Sequence, residues 1–505
     1  MTKTNREVAD WMHKLVHEGA EMKLDSREVR PGDIFCAVPG LKSDGRAFIR
    51  VAAARGAAGV IYEADGTPQG EHYPVASLAV SHLASRLGEI AALFYGDASA
   101  KMEGVAVTGT NGKTTSTFWL SQLMTKLGTP AAVIGTVGVF FKGKQIPAPH
   151  LTTPDAVTLQ GLYAKLAHEG AEAFAIEASS VGLEQGRLSG SHFRVGIFTN
   201  LSRDHLDYHR TMEAYAEAKK ILFRWPGLET AVLNAEDPVS ASFAETAKAH
   251  GIAVWTTGRE GRGKALAQSL ACSAHALDAW NCRSTGRGMV FTLKMEAEER
   301  EVSLPAVGLF NVENVLEVIA AMLALGYPLD DVVSGVASLE PPPGRMQPVY
   351  SEGMPLGVVD FCHTPDALEK ALESLAPGVH ARGGKLWTVV GCGGDRDPGK
   401  RPIMGEIAAR LADQVIVTSD NPRSEDPEKI VRQVAEGAKG APNVRIVADR
   451  REAIHEAILE AAPEDLVLVA GKGHESEQIL KDGPHHFLDA EVVREALNER
   501  RTRVL

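Results

Sequence analysis

Residues 104–115 read GVAVTGTNGKTT: an apolar β-type run, a glycine-containing turn, then Gly112, Lys113 and Thr114 opening an amphipathic helix pattern. A strand that turns tightly into a helix N-terminus gathers backbone N–H groups around one point. A lysine at that point can reach the β- and γ-phosphates of a nucleotide, and a threonine hydroxyl can ligate Mg²⁺. We read the run as a phosphate loop, with Gly109, Thr110, Asn111, Gly112, Lys113, Thr114 and Thr115 as nucleotide contacts. It departs from GxxxxGK[ST] at one place: Val107 holds the first glycine position, and Gly109 follows two residues later.

From Gly104 onward, short apolar runs alternate with helical patterns, the signature of parallel strands joined by crossover helices, so the expected fold class is α/β. Strands are expected at 105–108, 174–177, 195–199 and 231–233, and helices at 113–127 and 212–223. Residues 256–305 break the rhythm and read as a strand-rich insertion. The run Pro341, Pro342, Pro343, Gly344 is a stiff, non-helical connection. Beyond it, strands expected at 356–361, 386–391, 414–418, 444–447 and 466–470 have Rossmann-like spacing. Runs at 33–38 and 60–63 describe a smaller unit at the start. The expected domains are 1–103, 104–343 (a P-loop ATPase-type parallel sheet) and 344–505 (Rossmann-like). A chain of 505 residues has room for three such cores.

Lys plus Arg is 53 against 65 for Asp plus Glu, a net charge of −12, with no basic block, which disfavours sequence-independent nucleic-acid binding. Hydrophobic residues at 44% and charged ones at 23% describe a folded globular protein. The opening MTKTNREVADWMHKLVHEGA has no apolar h-region, and no 18 apolar residues run together, so no membrane span and a cytoplasmic location are expected. Cys36, Cys272, Cys282, Cys362 and Cys392 are too scattered for a disulfide framework and contain no CxxC pair, so they read as reduced, mostly core residues.

Two further runs carry chemistry. FTNLSRDHLDYH, residues 198–209, ends a strand in a loop holding Asp204, His205, Asp207 and His209. Alone these are solvated charges; beside a phosphate loop a metal-binding histidine is the better reading. Glu177 ends the apolar run AFAIE, where a carboxylate at a strand's C-terminal end faces the ligand crevice of an α/β sheet. A nucleophilic triad from Ser179 or Ser180, His205 and Asp204 lacks the GxSxG elbow, and Cys362 beside His363 is only a sequence neighbour pair.

Taken together, GTNGKTT, LTTPD (151–155), EASS (177–180), FTNLSRDHLDYH, GLFNVEN (308–314), GRMQ (344–347), DFCHTPDAL, GCGGDRDPGKRP, DNPR (420–423) and GKGHE (471–475) resemble the Mur ligases nearly end to end. The resemblance implies an N-terminal domain for a UDP-sugar, a central ATPase and a C-terminal domain supplying an amino acid. It implies an acyl phosphate, formed when a substrate carboxylate attacks the γ-phosphate of ATP and captured by an amine of meso-diaminopimelate. The substrates implied are ATP, a UDP-muramoyl dipeptide and diaminopimelate.

On the same resemblance, Lys113 stabilises the transferring phosphoryl group, Thr114 and Glu177 hold one Mg²⁺, and His205 with Lys219 serves a second. Lys219, in YAEAKKIL, matches the family lysine that is carbamylated by CO₂. A free ammonium cannot ligate Mg²⁺, whereas its carbamate is an anionic oxygen donor. Asn311, Asn314, Arg345, Asp360 and His363 meet the base and ribose. Read alone, Asn311 is an N-cap and Arg345 a linker charge. Ser26, Leu41, Lys42, Ser43, Thr152, Thr153, Ser179, Gln185 and Arg187 meet the UDP-sugar peptide. Arg396, Asp420, Asn421, Pro422, Arg423, Gly471 and Glu475 form the pocket for the amino acid. Val181 stands where many relatives carry histidine. A lysine-adding ligase, a folylpolyglutamate synthase and a non-catalytic P-loop switch are the competing readings; DNPR argues against the first two, and a separate C-terminal domain against the third.

Overall fold

The computed structural model describes residues 3–40, 43–67, 72–149, 151–270, 274–285 and 288–504, without the side chains of Asp207 and Val504. Strands β1 (Met22–Lys23), β2 (Ile34–Ala37), β3 (Gly59–Glu63) and β4 (Ser77–Val80) form a parallel sheet in that order. Alternate residues feed opposite cores, as the period of a strand requires. Ile34, Cys36 and Ile61 join Val8, Met12, Leu83 and Ile90, while Phe35, Ala37 and Val60 join Ile49 and Ala52.

The central sheet contains β5 (Glu103–Thr108), β6 (Ala131–Gly135), β7 (Gly138–Phe141), β8 (Lys144–Ile146), β9 (Ala173–Glu177), β10 (Val195–Phe198), β11 (Thr230–Asn234) and β12 (Ala253–Arg259). Their order is β12-β11-β10-β5-β9-β6-β7-β8, parallel from β12 to β6 and antiparallel at the β7–β8 edge. β5 therefore lies inside the sheet with β9 and β10 as neighbours, so the loops leaving all three C-terminal ends meet. The helix Lys113–Lys126 is not amphipathic as expected: only Thr125 and Lys126 are exposed, because it is covered on nearly every side. The helix expected at 212–223 is α-helical over Met212–Lys220 and continues as a 3₁₀ turn, Ile221–Arg224.

β13 (His275–Ser284), β14 (Met289–Met295) and β15 (Glu298–Leu304) make the next stretch strand-rich, but a helix, Arg262–Ser269, interrupts it, against expectation. Its first N–H groups are satisfied from a distance, Gly263 and Lys264 donating to the Asp278 carboxylate at 2.8 and 2.9 Å, so no local cap signals the helix. Packing divides the chain into two compact units: Met1–Asp278 with Met295–Ala297 and Asn314–Gly335, and Ala279–Lys294 with Glu298–Glu313 and Val336–Leu505.

The second unit carries β16 (Gln347–Val349), β17 (Leu356–Asp360), β18 (Leu386–Val390), β19 (Gln414–Val417), β20 (Val444–Ile446) and β21 (Leu466–Ala470) in the order β16-β17-β21-β18-β19-β20. All pairs are parallel except β16 with β17. The chain moves from β18 outward through β19 and β20 and returns to β21 on the other side of β18, creating a switch point where ligands bind in such sheets. A hairpin of β22 (Glu477–Leu480) and β23 (Gly483–His486) follows. The architecture is thus mixed α/β, with a sheet of its own at the start, in the centre and at the end of the chain. Cys36, Cys362 and Cys392 are buried and Cys282 half-buried, none of them in a disulfide, while Cys272 lies outside the described residues. Among the described residues no helix is long and apolar enough to cross a membrane.

Candidate active site

β5 delivers the chain into Gly109 (φ +149°) and Gly112 (φ +88°). A Cβ on Gly109 would sit 1.9 Å from Thr199 Oγ1, and one on Gly112 2.3 Å from Asn314 Oδ1, so both positions demand glycine on space as well as on backbone angle. The helix that follows has neither an acidic residue in its first turn nor a side-chain cap, leaving its N–H groups and positive dipole end available to an anion. Lys113 folds back and donates to Gly109 O and Thr110 O at 2.9 and 2.8 Å.

The end of β9 brings Glu177 alongside. Its side chain is buried; Oε1 accepts from Thr114 Oγ1 and the Thr136 N–H, both at 2.9 Å, and Oε2 accepts from Thr136 Oγ1 at 2.9 Å. Thr136 Oγ1 lies 3.0 Å from Thr152 Oγ1. Thr153 Oγ1 donates to Glu177 O at 2.8 Å and lies 2.9 Å from Ser179 Oγ, which caps the next helix by accepting from the Gly182 N–H. Arg187 reaches Thr153 O at 2.9 Å and Gln185 Oε1 at 2.8 Å. The expected residues Thr114, Thr152, Thr153, Glu177, Ser179, Gln185 and Arg187 are therefore one hydrogen-bonded chain. Ser26 is buried after β1 and Ser43 is exposed, while Leu41 and Lys42 lie outside the described residues.

The loop after β10 grips the phosphate loop from the other side. Thr110 N–H donates to Asn200 O at 2.8 Å, Asn111 N–H to Asn200 Oδ1 at 2.9 Å, and Thr199 Oγ1 to Asn111 O at 2.5 Å. Sequence reasoning named neither Thr199 nor Asn200, although both stand in the quoted run. Thr211 caps the helix carrying Tyr215 and Lys219. Lys219 is buried, donates to Gly109 O at 2.7 Å and lies 4.3 Å from the centre of the Tyr215 ring, whose hydroxyl is 3.2 Å from Thr110 Oγ1. Burial, then the nearby Lys113 charge, holds the Lys219 amine well below the ordinary lysine range, with Asp204 opposing.

The two histidines among the candidates of 204–209 have different surroundings. His205 is half exposed, with its ring 6.0 Å from that of Tyr215 and its Nε2 3.5 Å from Asp204 Oδ2. The short helix Leu206–His209 turns His209 inward instead, where Nε2 lies 2.9 Å from Ser180 Oγ, Nδ1 3.2 Å from Glu184, and the ring packs on Tyr215. Ring burial against Tyr215 removes it from any shared ligand set. The Asp207 side chain lies outside the described residues. No group of three or more His, Cys, Asp or Glu suited to a metal exists among the described residues. The oxygen-only pair Thr114 and Glu177 nevertheless suits a hard cation that takes its remaining ligands from phosphates and water.

In the second unit, Asn311 is in the first turn of the helix Leu309–Ala324 and not its N-cap, because Gly308 precedes that helix; its Nδ2 donates to Val307 O at 2.8 Å. Arg345 lies over the Phe361 ring at 4.9 Å, and His363 and His474 pack on the same ring at 4.5 and 5.2 Å. Asp360 Oδ2 accepts from the Met346 N–H at 2.7 Å. Phe361 and His474 were not singled out from sequence, although an aromatic beside Asp360 is the signal that could have found the first.

At the ends of β19 and β21, Asp420 and Asn421 are buried, and a Cβ on Gly471 would lie 2.5 Å from Asp420 Oδ2. Asn421 Nδ2 donates to Glu475 Oε2 at 2.7 Å. Arg423, at φ +53° and next to Pro422, donates its N–H to Ile479 O at 3.0 Å and Nη1 to Gly394 O at 2.7 Å. Arg396 is exposed and reaches Asp395 O at 3.3 Å, so it does not join this cluster through any hydrogen bond described. Residues missed from sequence stand behind: Lys472, fully buried, and the ion pair Arg450–Asp489, whose guanidinium also donates to Ser419 O and Ala470 O at 3.2 and 3.0 Å.

Residues 107–322 match the Mur ligase middle domain, 344–473 the Mur ligase glutamate ligase domain and 20–95 the Mur ligase family catalytic domain. UDP-N-acetylmuramoyl-L-alanyl-D-glutamate--2,6-diaminopimelate ligase of Janthinobacterium sp. (strain Marseille) is 45% identical over 498 residues, 98% of this chain and 97% of its own. The protein of that name from Pseudomonas aeruginosa is 44% identical over 477 residues, 94% of each chain. A solved structure of such a ligase is 36% identical, covers 99% of this chain and 100% of its own, and superposes with a TM-score of 0.70. UDP-N-acetylmuramoylalanyl-D-glutamyl-2,6-diaminopimelate--D-alanyl-D-alanyl ligase of Acinetobacter baumannii, 18% identical with a TM-score of 0.65 over 98% of both chains, shares the fold.

Proposed function

The chain belongs to the Mur ligase family, and on that premise we propose that it is the ATP-dependent ligase joining meso-2,6-diaminopimelate to UDP-N-acetylmuramoyl-L-alanyl-D-glutamate in peptidoglycan precursor synthesis. The observation that carries the reading is the Thr114–Glu177 oxygen pair beside a phosphate loop whose helix N-terminus is uncapped. The division of labour follows the domains 1–103 for the UDP-sugar, 104–343 for ATP and 344–505 for the amino acid. The nucleotide-linked substrate and ATP assign the step to the cytoplasm, upstream of wall assembly, cell shape and division.

A carboxylate is a poor electrophile and repels the triphosphate it must approach. Its oxygen attacks the γ-phosphorus, the bond to the β-phosphate oxygen breaks, and ADP leaves. The amine of diaminopimelate then adds to the acyl carbon, loses a proton, and expels inorganic phosphate to leave the amide. Lys113 exchanges its contacts with Gly109 O and Thr110 O for the transferring phosphoryl oxygens. Thr114 and Glu177 would hold Mg²⁺, which when bound screens the phosphate charge. His205 and a carbamate on Lys219 are assigned to a second Mg²⁺. Burial eases deprotonation of the Lys219 amine, whose lone pair, once free, adds to CO₂ with release of one proton.

Asn311, Asn314, Arg345, Asp360 and His363 are assigned to the base and ribose, and Ser26, Ser43, Thr152, Thr153, Ser179, Gln185 and Arg187 to the UDP-sugar peptide. Arg423 grips the distal carboxylate of diaminopimelate and Glu475 receives its distal ammonium, beside Asp420, Asn421 and Gly471. Phosphate release by the purified protein tests the whole: it should require both the UDP-muramoyl dipeptide and diaminopimelate. Release with ATP alone, or with lysine as well as diaminopimelate, would overturn the assignment.

A further inference from the structure

Lys472 is fully buried in the turn after β21, yet it faces three parts of one pocket. Its Nζ donates to Glu477 O at 2.6 Å, lies 3.5 Å from Asn421 Oδ1 and stands 3.6 Å from Glu475 Oε2. Asn421 in turn donates to the same Glu475 oxygen and accepts from the Ile479 N–H at 2.8 Å. One ammonium thus ties the DNPR run, the acidic residue opposite it and the first strand of the β22–β23 hairpin. A lysine this deep is costly unless its charge is used.

The surrounding charges show the use. Lys472 faces Asp420, Glu475 and Asp489 as anions and Arg450 as a like charge; Glu475 faces Lys472 and Arg423 as cations and Asp420 as a like charge. Asp395 also faces Arg423, and His474 faces Lys472 and is held mostly neutral by burial; the six central charges, three of each sign, balance. The distal end of diaminopimelate, one ammonium and one carboxylate, leaves that balance intact, whereas the end of lysine adds one uncompensated positive charge.

Resting on the reading of Glu475 as the ammonium receptor, we propose that Lys472 is a positioning and specificity-determining residue: it fixes Glu475 and Asn421 from behind and keeps the pocket neutral, so that a zwitterionic ligand end is preferred over a purely cationic one. Burial pushes the Glu475 carboxyl up, and Lys472 is the first of the charges opposing that rise. Loss of Lys472 therefore makes Glu475 easier to protonate and weakens it as a receptor in mild acid.

The test is Lys472→Met, an apolar replacement of similar length, measured on the full chain. The KM for diaminopimelate should rise about tenfold or more, as expected when a charge-assisted contact is lost, while the KM for ATP and for the UDP-muramoyl dipeptide stays within about twofold. The acid limb of kcat/KM for diaminopimelate should move to higher pH, and the preference for diaminopimelate over lysine should narrow. Should Lys472→Met not fold, Lys472→Gln carries the same criteria. An unchanged diaminopimelate KM, or equal losses toward all three substrates with no shift in preference or pH profile, would overturn the proposal. Glu475→Gln separates the two readings: if it too leaves the diaminopimelate KM unchanged, the pocket assignment itself is wrong, whereas a raised KM there with none in Lys472→Met rejects Lys472 alone.

Discussion

Lys113 and Lys219 end on the same acceptor, Gly109 O, at 2.9 and 2.7 Å. Two cations on one carbonyl repel, and the buried one gives up its proton first; Lys219 is that one. The phosphate loop and the lysine proposed to be carbamylated are therefore coupled through a single backbone oxygen, and Tyr215 adds a second link through Thr110.

Lys219→Ala should be nearly inactive, because the alanine side chain cannot become an anionic oxygen donor. Short carboxylates at high concentration should restore part of the activity by occupying the vacated space. NMR with ¹³C-bicarbonate should detect a carbamate carbon in the wild type that the variant lacks. A bare ammonium on Lys219 in a substrate-bound, bicarbonate-supplied sample would contradict the assignment.

Glu177→Gln keeps size and one oxygen acceptor for Thr114 or Thr136 but removes the charge. Turnover should fall by about two orders of magnitude, the scale seen when one preorganised electrostatic contact is lost, with little change in thermal midpoint. Near-normal turnover at saturating Mg²⁺ would show that Glu177 does not serve the nucleotide.

Arg423→Ala should raise the diaminopimelate KM and narrow the gap to lysine, since lysine has no distal carboxylate for the guanidinium to lose. It need not make lysine a good substrate, because no new partner is created. Wild-type discrimination of roughly 10² to 10⁴ is expected when the half-buried guanidinium keeps only its bond to Gly394 O and lacks a carboxylate partner. Unchanged diaminopimelate kinetics would refute the contact.

Arg450 and Asp489 are both fully buried, paired at 2.8 and 2.7 Å. Asp489→Ala should cost about 3–5 kcal/mol in chemical denaturation, because it leaves a buried charge without its partner. Combining it with Arg450→Met should recover much of that loss. Equal stability of the single and double variants would show that the pair is not coupled.

His474 gives a pH dependence with a defined sign. Burial, then the Arg345 and Lys472 charges, lowers its pKa from an ordinary 6.5 to about 4. Between those values the unfolded chain takes up a proton that the folded one does not, so stability is full above pH 6.5 and is lost as pH falls toward 4. The loss should be on the order of 3 kcal/mol, and His474→Gln should flatten it. An identical acid profile in the variant would place the responsible group elsewhere.

Much of this was legible along the chain. The alternation of apolar runs with helical patterns located β5, β9, β10 and β11 of the central sheet and β17 to β21 of the C-terminal one, because parallel strands buried on both faces must be apolar throughout, and it passed over β6, β7, β8, β12 and β16. The phosphate loop, Glu177 at the end of β9 and the His205 loop after β10 were visible for the same reason: they are strand ends, and strand ends carry function in such sheets. What the chain could not display were partners brought together by strand order. The helix Arg262–Ser269 went unread because its capping carboxylate is Asp278, on the next strand. His209 sat in a run of potential ligands until the fold turned it onto Ser180 and Glu184. Lys472 is one lysine among 53 basic residues by composition and becomes singular only when burial removes water from it. Spacing along a sequence records which groups share an element; distances between groups on different elements are set by which strands lie side by side, and that is decided by packing of the whole core.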